Sequence, residues 1–440
     1  PPPAAIITNL ATDETYFYDG VGGDPSAVST GVWGADEDAA VSPDGVTTYV
    51  LRGDNYFGPG QLDLIAVDTA TQAVRGVIAS IGTSETRASR LALSPDGTMA
   101  YVGSGDSLTR ITISARVADP PIALGGDLHA VAVSPDGRFV YASAGNRFLK
   151  VNPRNGSIQS SLDLGQLAGA IKLSADGATA YVIGDIVGSS GAVLFKINLQ
   201  SFTISNQVGL PGSTASGAGS TKLGLALSPD QHLLYVVGGD AANRQYFALP
   251  VDALYLLAGQ VVPIQNTVPW PVVNDAAFSP DGSKLYTYTR GEQGAVDLLV
   301  TIDVPSNTVT TSYNLGALYS SDLTSVTTPP DQAPVAAFTS TLVCPTGAST
   351  FNASGSSTPS GSIASYTWDF GDGTAQVTTP SPAASHQFAG VARYQVRLTV
   401  TNSAGTSTTV VSDGQTVLHN GGPSATVRNA VRIPACSGPV

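Results

Sequence analysis

Histidine is scarce in this chain, four among 440 residues, and one of them stands where other polar side chains recur. His129 lies five residues before Ser134, and the same region ahead of related serines carries Glu37, Asp38, Arg90, Lys222, Asn274 and Asp275. An imidazole that titrates near neutrality, grouped with carboxylates and cations, would hold a small ligand or, with a metal, run a lyase-type reaction. The same mixture is also what a solvated cavity rim carries. His232 falls in a hairpin turn and His386 in a C-terminal region of different pattern, so neither joins the set. The sequence has no HExxH, no GxSxG elbow, no Cys-rich zinc spacing and no glycine-rich phosphate loop after a strand.

These residues gain a common position only through the elements that carry them. The tetrapeptide SPDG occurs at Ser42, Ser94, Ser134 and Ser279, with SADG at Ser174 and SPDQ at Ser228. Tyr49, Tyr101, Tyr141, Tyr181, Tyr235 and Tyr286 each follow their serine by seven residues, and a worn copy leads from Ala11 to Tyr18 at the same offset. Proline presets φ, aspartate bonds nearby amides and glycine accepts positive φ, so the tetrapeptide is a hairpin turn. Apolar runs on both sides, such as Val131-Ala132-Val133 and Phe139-Val140-Tyr141, are the buried antiparallel strands it joins. A second hairpin follows within each period, for example Leu64–Thr69 turning into Val74–Ile78, which gives four strands per repeat.

Four-stranded units at this period predict a β-propeller, whose sheets pack face to face around a central channel. The first copy is short of strands, while Leu323–Thr327 follows the last repeat without a partner of its own. Pairing the two closes a ring of seven blades, with six or eight left open by the irregular first blade. On this reading the polar set rims one mouth of the channel. Blocks such as SPDGVTTYV, SPDGTMAYV and SADGATAYV resemble the YVTN family of β-propellers over residues 5–328. The resemblance implies the fold and an exported, surface-layer-like setting rather than a particular activity.

At residues 329–334 the pattern breaks into a Pro-rich stretch that reads as a linker after a propeller spanning 1–328. Residues 335–418 resemble a PKD domain, an immunoglobulin-like β-sandwich, through Phe351-Asn352-Ala353-Ser354-Gly355-Ser356, the WDFGDG string at Trp368–Gly373 and Tyr394-Gln395-Val396-Arg397-Leu398-Thr399-Val400. The fold class expected is therefore all-β, a seven-bladed propeller followed by a sandwich. Trp368 and Phe370 share a strand face and so enter the core. Residues 419–440 form a tail expected to dock on the sandwich as an added strand. Cys344 and Cys436 are the two cysteines; an intramolecular disulfide is favoured over an intermolecular bridge or free thiols, with roughly 4–5 kcal/mol in the chain-entropy model.

The net charge of −13 is unevenly held, because residues 335–440 carry one more arginine than aspartate and all the excess acidity falls on residues 1–334. Without a basic cluster the chain is not expected to bind nucleic acid, and no apolar run is long enough for a membrane span. Charged residues are only 12%, and the chain starts at Pro1-Pro2-Pro3 without a signal peptide, which reads as a processed or trimmed N-terminus of a secreted or cell-surface protein. Asp36-Glu37-Asp38, and Asp19 with Asp24, offer oxygen ligands without the twelve-residue loop spacing of a calcium site. Calcium stays unassigned and no other cofactor is implied. Arg52-Gly53-Asp54 spells an adhesion tripeptide, a match expected often by chance.

Two functions follow. The favoured one is a non-enzymatic scaffold for adhesion, binding or self-assembly, with a protein or polysaccharide at a cell surface, or a second copy, as partner. The alternative is an extracellular lyase or hydrolase at the channel mouth, with the PKD-like domain assisting polymer binding. Convergence of His, Glu and Arg on one point would separate them.

Overall fold

The computed structural model describes residues 3–9, 14–20, 24–31, 35–53, 60–84, 89–185, 192–210, 223–240, 245–266, 275–289, 297–316, 323–359, 361–408 and 421–436. Apart from a 3-10 turn at Pro423–Ala425, the regular structure of these residues is entirely strand. Among them no helix is long and apolar enough to cross a membrane. The chain divides into two compact units, one running to Pro330 and one beginning at Asp331.

In the first unit, sheets of consecutive antiparallel strands begin at Ala35–Val41, Arg90–Leu93, Leu128–Val133, Leu167–Leu173, Gly224–Leu227 and Ala276–Phe278. One further sheet is built differently, since Leu323–Thr327 pairs with Ala5–Asn9 and the order continues through Glu14–Tyr18 to Ser26–Ser29. Its register sets Ile6 opposite Thr327 and Ile7 opposite Val326. The fourth strand of the sheet that starts at Arg90 is split into Val117–Ala118 and Ile122–Ala123. Pro120 and Pro121 lie between the pieces and have no N–H for the ladder. The first strand of each sheet packs beside that of the next, and Leu323–Thr327 touches both Ala276–Phe278 and Ala35–Val41.

The core sits between successive sheets. Leu234 and Val236 pack with Tyr181, Ile183 and Leu194 of the sheet before, whereas Tyr235 and Val237 pack with Ala276 and Leu285 of the sheet after. Alternate side chains of one strand thus enter two cores, which is why the run is apolar throughout.

The second unit has two sheets. One is ordered Thr339–Thr341, Ser349–Asn352, Ala383–His386, and the other Val377–Thr379, Ile363–Asp369, Arg393–Asn402, Thr426–Arg432. Trp368, Phe351, Phe370, Phe388, Val396 and Leu398 form its core. Gly371 turns the chain at φ +72, and a Cβ there would lie 2.3 Å from the Gln395 carbonyl oxygen, so glycine is required. Thr426–Arg432 adds to the edge of Arg393–Asn402, and Cys344 and Cys436 stand at disulfide distance, 2.08 Å between sulfurs across 92 residues. Asp331, in the stretch expected as linker, is buried and accepts hydrogen bonds from Asn402 Nδ2 and Thr406 Oγ1.

Candidate functional site

The recurring turn fixes where each candidate side chain points. The serine Oγ donates to the carboxylate two residues on at 2.5–2.6 Å and accepts the amide five residues on at 2.9 Å in every copy. With the hairpin so locked, the residue four before the serine takes a fixed place on the first strand of its sheet. Asp38, Arg90 and Asp275 hold that place in three repeats, and Ala130, Ala170 and Gly224 hold it in the others.

A first strand leaves one edge of backbone groups without a ladder partner, and these side chains satisfy it. Asp38 accepts the amide of Ala39 at 2.8 Å through one oxygen and, through the other, that of Leu91 in the next sheet at 2.8 Å. Asp275 repeats the pattern with Ala276 at 2.9 Å and Val326 at 3.0 Å. Glu37 Oε2 accepts the Ser89 amide at 2.9 Å, also across sheets. Arg90 donates from Nε to the His129 carbonyl at 3.1 Å and from Nη1 to the Ser89 carbonyl at 3.2 Å. The polar residues therefore latch three of the sheets, those of Asp38, Arg90 and Asp275, to their successors.

Asp38, Arg90, His129 and Asp275 line one half-open cavity of about 150 Å³ between the first strands and Leu323–Thr327. Glu37 is buried beside them but turns toward Ser89 instead of the cavity. Lys222 and Asn274 lie outside the described residues. The cavity also receives Lys172, which the reading of the sequence missed. A signal for it exists: the residue two before the turn serine is alanine at positions 40, 92, 132, 226 and 277, and lysine only at 172.

Burial pushes the Asp38 carboxyl up to about 6, against the pull of the Arg90 charge and the Leu91 amide. Burial likewise raises Asp275 and Glu37. His129 is moved down by burial and by the Arg90 charge, so it is neutral at pH 7, and its buried Nε2 makes no hydrogen bond. The site thus offers cationic donors and a neutral imidazole. Its carboxylates are engaged with backbone amides.

The smaller motifs are spent on structure as well. Asp36 is buried and accepts the hydroxyls of Thr15 and Thr30, both at 2.6 Å. Among the described residues no three His, Cys, Asp or Glu side chains are grouped to hold a metal ion. Arg52 pairs with Asp63 at 3.0 Å and donates to the Thr30 carbonyl, while Asp54 lies outside the described residues. In the second unit, Asp372 takes His386 at 2.6 Å and Asp369 takes Arg397 at 3.0 Å.

Comparison with known proteins bears mainly on the C-terminal unit. Residues 331–417 match the PKD domain family. No curated protein matches the chain. Among solved structures, a functionally unknown protein from Desulfotomaculum acetoxidans DSM 771 is 15% identical, with 72% of this chain and 98% of that chain covered at a TM-score of 0.53. A chain of a mitotic checkpoint complex is 15% identical over 64% of this chain and 82% of its own, at a TM-score of 0.50. Hydrazine synthase of Kuenenia stuttgartiensis is 21% identical over 61% and 76%, at 0.49. At these identities the likeness to the first two is one of fold alone. The chain is an all-β protein whose four-stranded sheets are followed by a C-terminal PKD domain.

Proposed function

We propose that this chain is an exported, non-enzymatic scaffold, a seven-bladed YVTN-type propeller carrying a PKD domain, which acts by adhesion, binding or self-assembly at a cell surface. Each four-stranded sheet of the first unit is one blade, with Leu323–Thr327 contributed to the blade of Ala5–Asn9. The observation that carries the reading is the use of the candidate carboxylates. Asp38, Asp275 and Glu37 are bound to amides of neighbouring sheets, and a general base must instead present its oxygen to a substrate. Among the described residues, a lyase or hydrolase at this cavity would have a neutral His129 and the Lys172 ammonium, but no free carboxylate, for proton transfer. Export is supported by the PKD match and by the Cys344–Cys436 pair, because disulfides persist in oxidising compartments. The partner is a cell-surface protein, a polysaccharide or another copy.

The test is to incubate purified chain with cell-surface polysaccharide fractions and to follow both retention and bond cleavage. Retention or self-association without turnover is expected, unchanged in His129→Ala. Turnover abolished by that substitution would reverse the reading in favour of the enzyme.

A further inference from the structure

The cavity holds more hydrogen-bond donors than its own residues use. Lys172 makes no hydrogen bond with the described residues, although its charge acts on Asp275, so its ammonium has three donors to give. Arg90 is fixed through Nε and Nη1, and its Nη2 makes no bond with the described residues. His129 adds a buried Nε2 without a partner. On the acceptor side, each oxygen of Asp38 and of Asp275 already takes a backbone amide. The walls between are apolar, with Leu91, Val131, Ile171 and Leu225 among them. A volume near 150 Å³ suits a molecule of about six non-hydrogen atoms.

We infer that the cavity is a binding site for a small oxyanion, held by Lys172 and Arg90 Nη2 with His129 Nε2 at its edge. Charge-assisted donors in a partly dehydrated space favour a carboxylate or phosphate oxygen over water. The position of Lys172 argues that the cation is not needed to build the hairpin, since five other repeats have alanine there, while its charge offsets part of the burial of Asp275 in the same cavity. Arg90, by contrast, also latches two sheets and is less informative as a variant. The inference stands apart from the scaffold reading, because a scaffold with or without an anion in its channel would still adhere.

The full chain would be titrated calorimetrically at pH 7 with sodium acetate and, separately, with sodium phosphate, chloride holding ionic strength constant. Saturable one-to-one binding of either probe with a dissociation constant of about 1 mM or below is expected. Acetate alone would assign an organic carboxylate, and phosphate alone an inorganic ion. Lys172→Ala, the residue of the other repeats, should stay folded with a small fall in the unliganded melting temperature, because Asp275 loses a neighbouring cation, and should weaken binding at least about tenfold. His129→Phe offers a second variant, expected to weaken binding less. Absence of saturation with both probes, or equal affinity in a folded Lys172→Ala protein, would overturn the inference.

Discussion

At Gln231 a side chain replaces what glycine does elsewhere. The turn glycines Gly97, Gly137, Gly177 and Gly282 hold positive φ and lie against the proline of the preceding turn, Pro43, Pro95, Pro135 and Pro229. At the one junction where the proline is Ala175, an N–H is exposed that proline would not have, and Gln231 accepts it through Oε1 at 2.8 Å while donating to the Ser228 carbonyl at 3.1 Å. The two departures from the repeat therefore compensate each other, at the expense of a glutamine at φ 66. Gln231→Ala should destabilise the chain by about 1–2 kcal/mol, since a part-buried donor loses its acceptor. In the Ala175→Pro background, where no donor remains, the same change should cost about 1 kcal/mol less. Urea unfolding of the four proteins measures this coupling, and additive effects would show that the pair does not interact.

At the level of elements, the sheet formed by the two ends of the first unit pairs strands far apart in sequence. Ile6 and Ile7 are fully buried, Thr8 and Ser325 share a hydroxyl bond at 2.8 Å, and Asp275 holds the Val326 amide from the neighbouring sheet. Removing Ala5–Asn9 strips both isoleucines from the core, about 3–6 kcal/mol, and leaves Leu323–Thr327 without its ladder. The loss should lower the melting temperature of the whole unit in a single transition, as seen by calorimetry. An unchanged melting temperature, or fraying confined to one end, would contradict closure through this strand. In the second unit the edge strand Thr426–Arg432 is held by its ladder and by the Cys344–Cys436 pair, so covalent and hydrogen-bonded restraints act on the same element.

Across the whole molecule, two sets of carboxyls pull the pH dependence of stability in opposite directions. Hydrogen bonds from the Ser174 hydroxyl and Ala178 amide hold Asp176 below the usual range, and Asp96, Asp136, Asp230 and Asp281 are lowered by like bonds against the effect of burial. Their stabilisation is present above the ordinary carboxyl pKa and is lost as pH falls through their depressed values. Asp38, raised by burial to about 6, binds more protons folded than unfolded, so its contribution is full below the ordinary carboxyl pKa and is lost as pH rises through about 6, and Asp275 and Glu37, raised likewise, act in the same direction. His129, depressed by burial, opposes them by disfavouring acidification below its usual pKa. With three carboxyls against one imidazole, the melting temperature should rise as pH is lowered from 7 to 5 and collapse below about 4. Asp38→Asn should reduce that rise, and an identical slope in the variant would show that Asp38 does not titrate there.

The hairpins, the buried tyrosines, the strand that joins the two ends and the polar residues four places ahead of three of the turns were legible along the chain. These are set by turn chemistry and by alternation of side chains, which act over a few residues. Lys172 was legible too, as the lysine in a column of alanines, although a lone substitution does not announce which cavity it enters. Tertiary structure decided what the polar residues do. Asp38 and Leu91, or Asp275 and Val326, meet only because successive sheets lie side by side, so no spacing along the chain reveals that these carboxylates are already bonded. Arg52 is likewise withdrawn from its tripeptide by the register that sets it opposite Asp63. A carboxylate's availability depends on which unpaired amide faces it, and that is fixed by the packing of strands far apart in sequence.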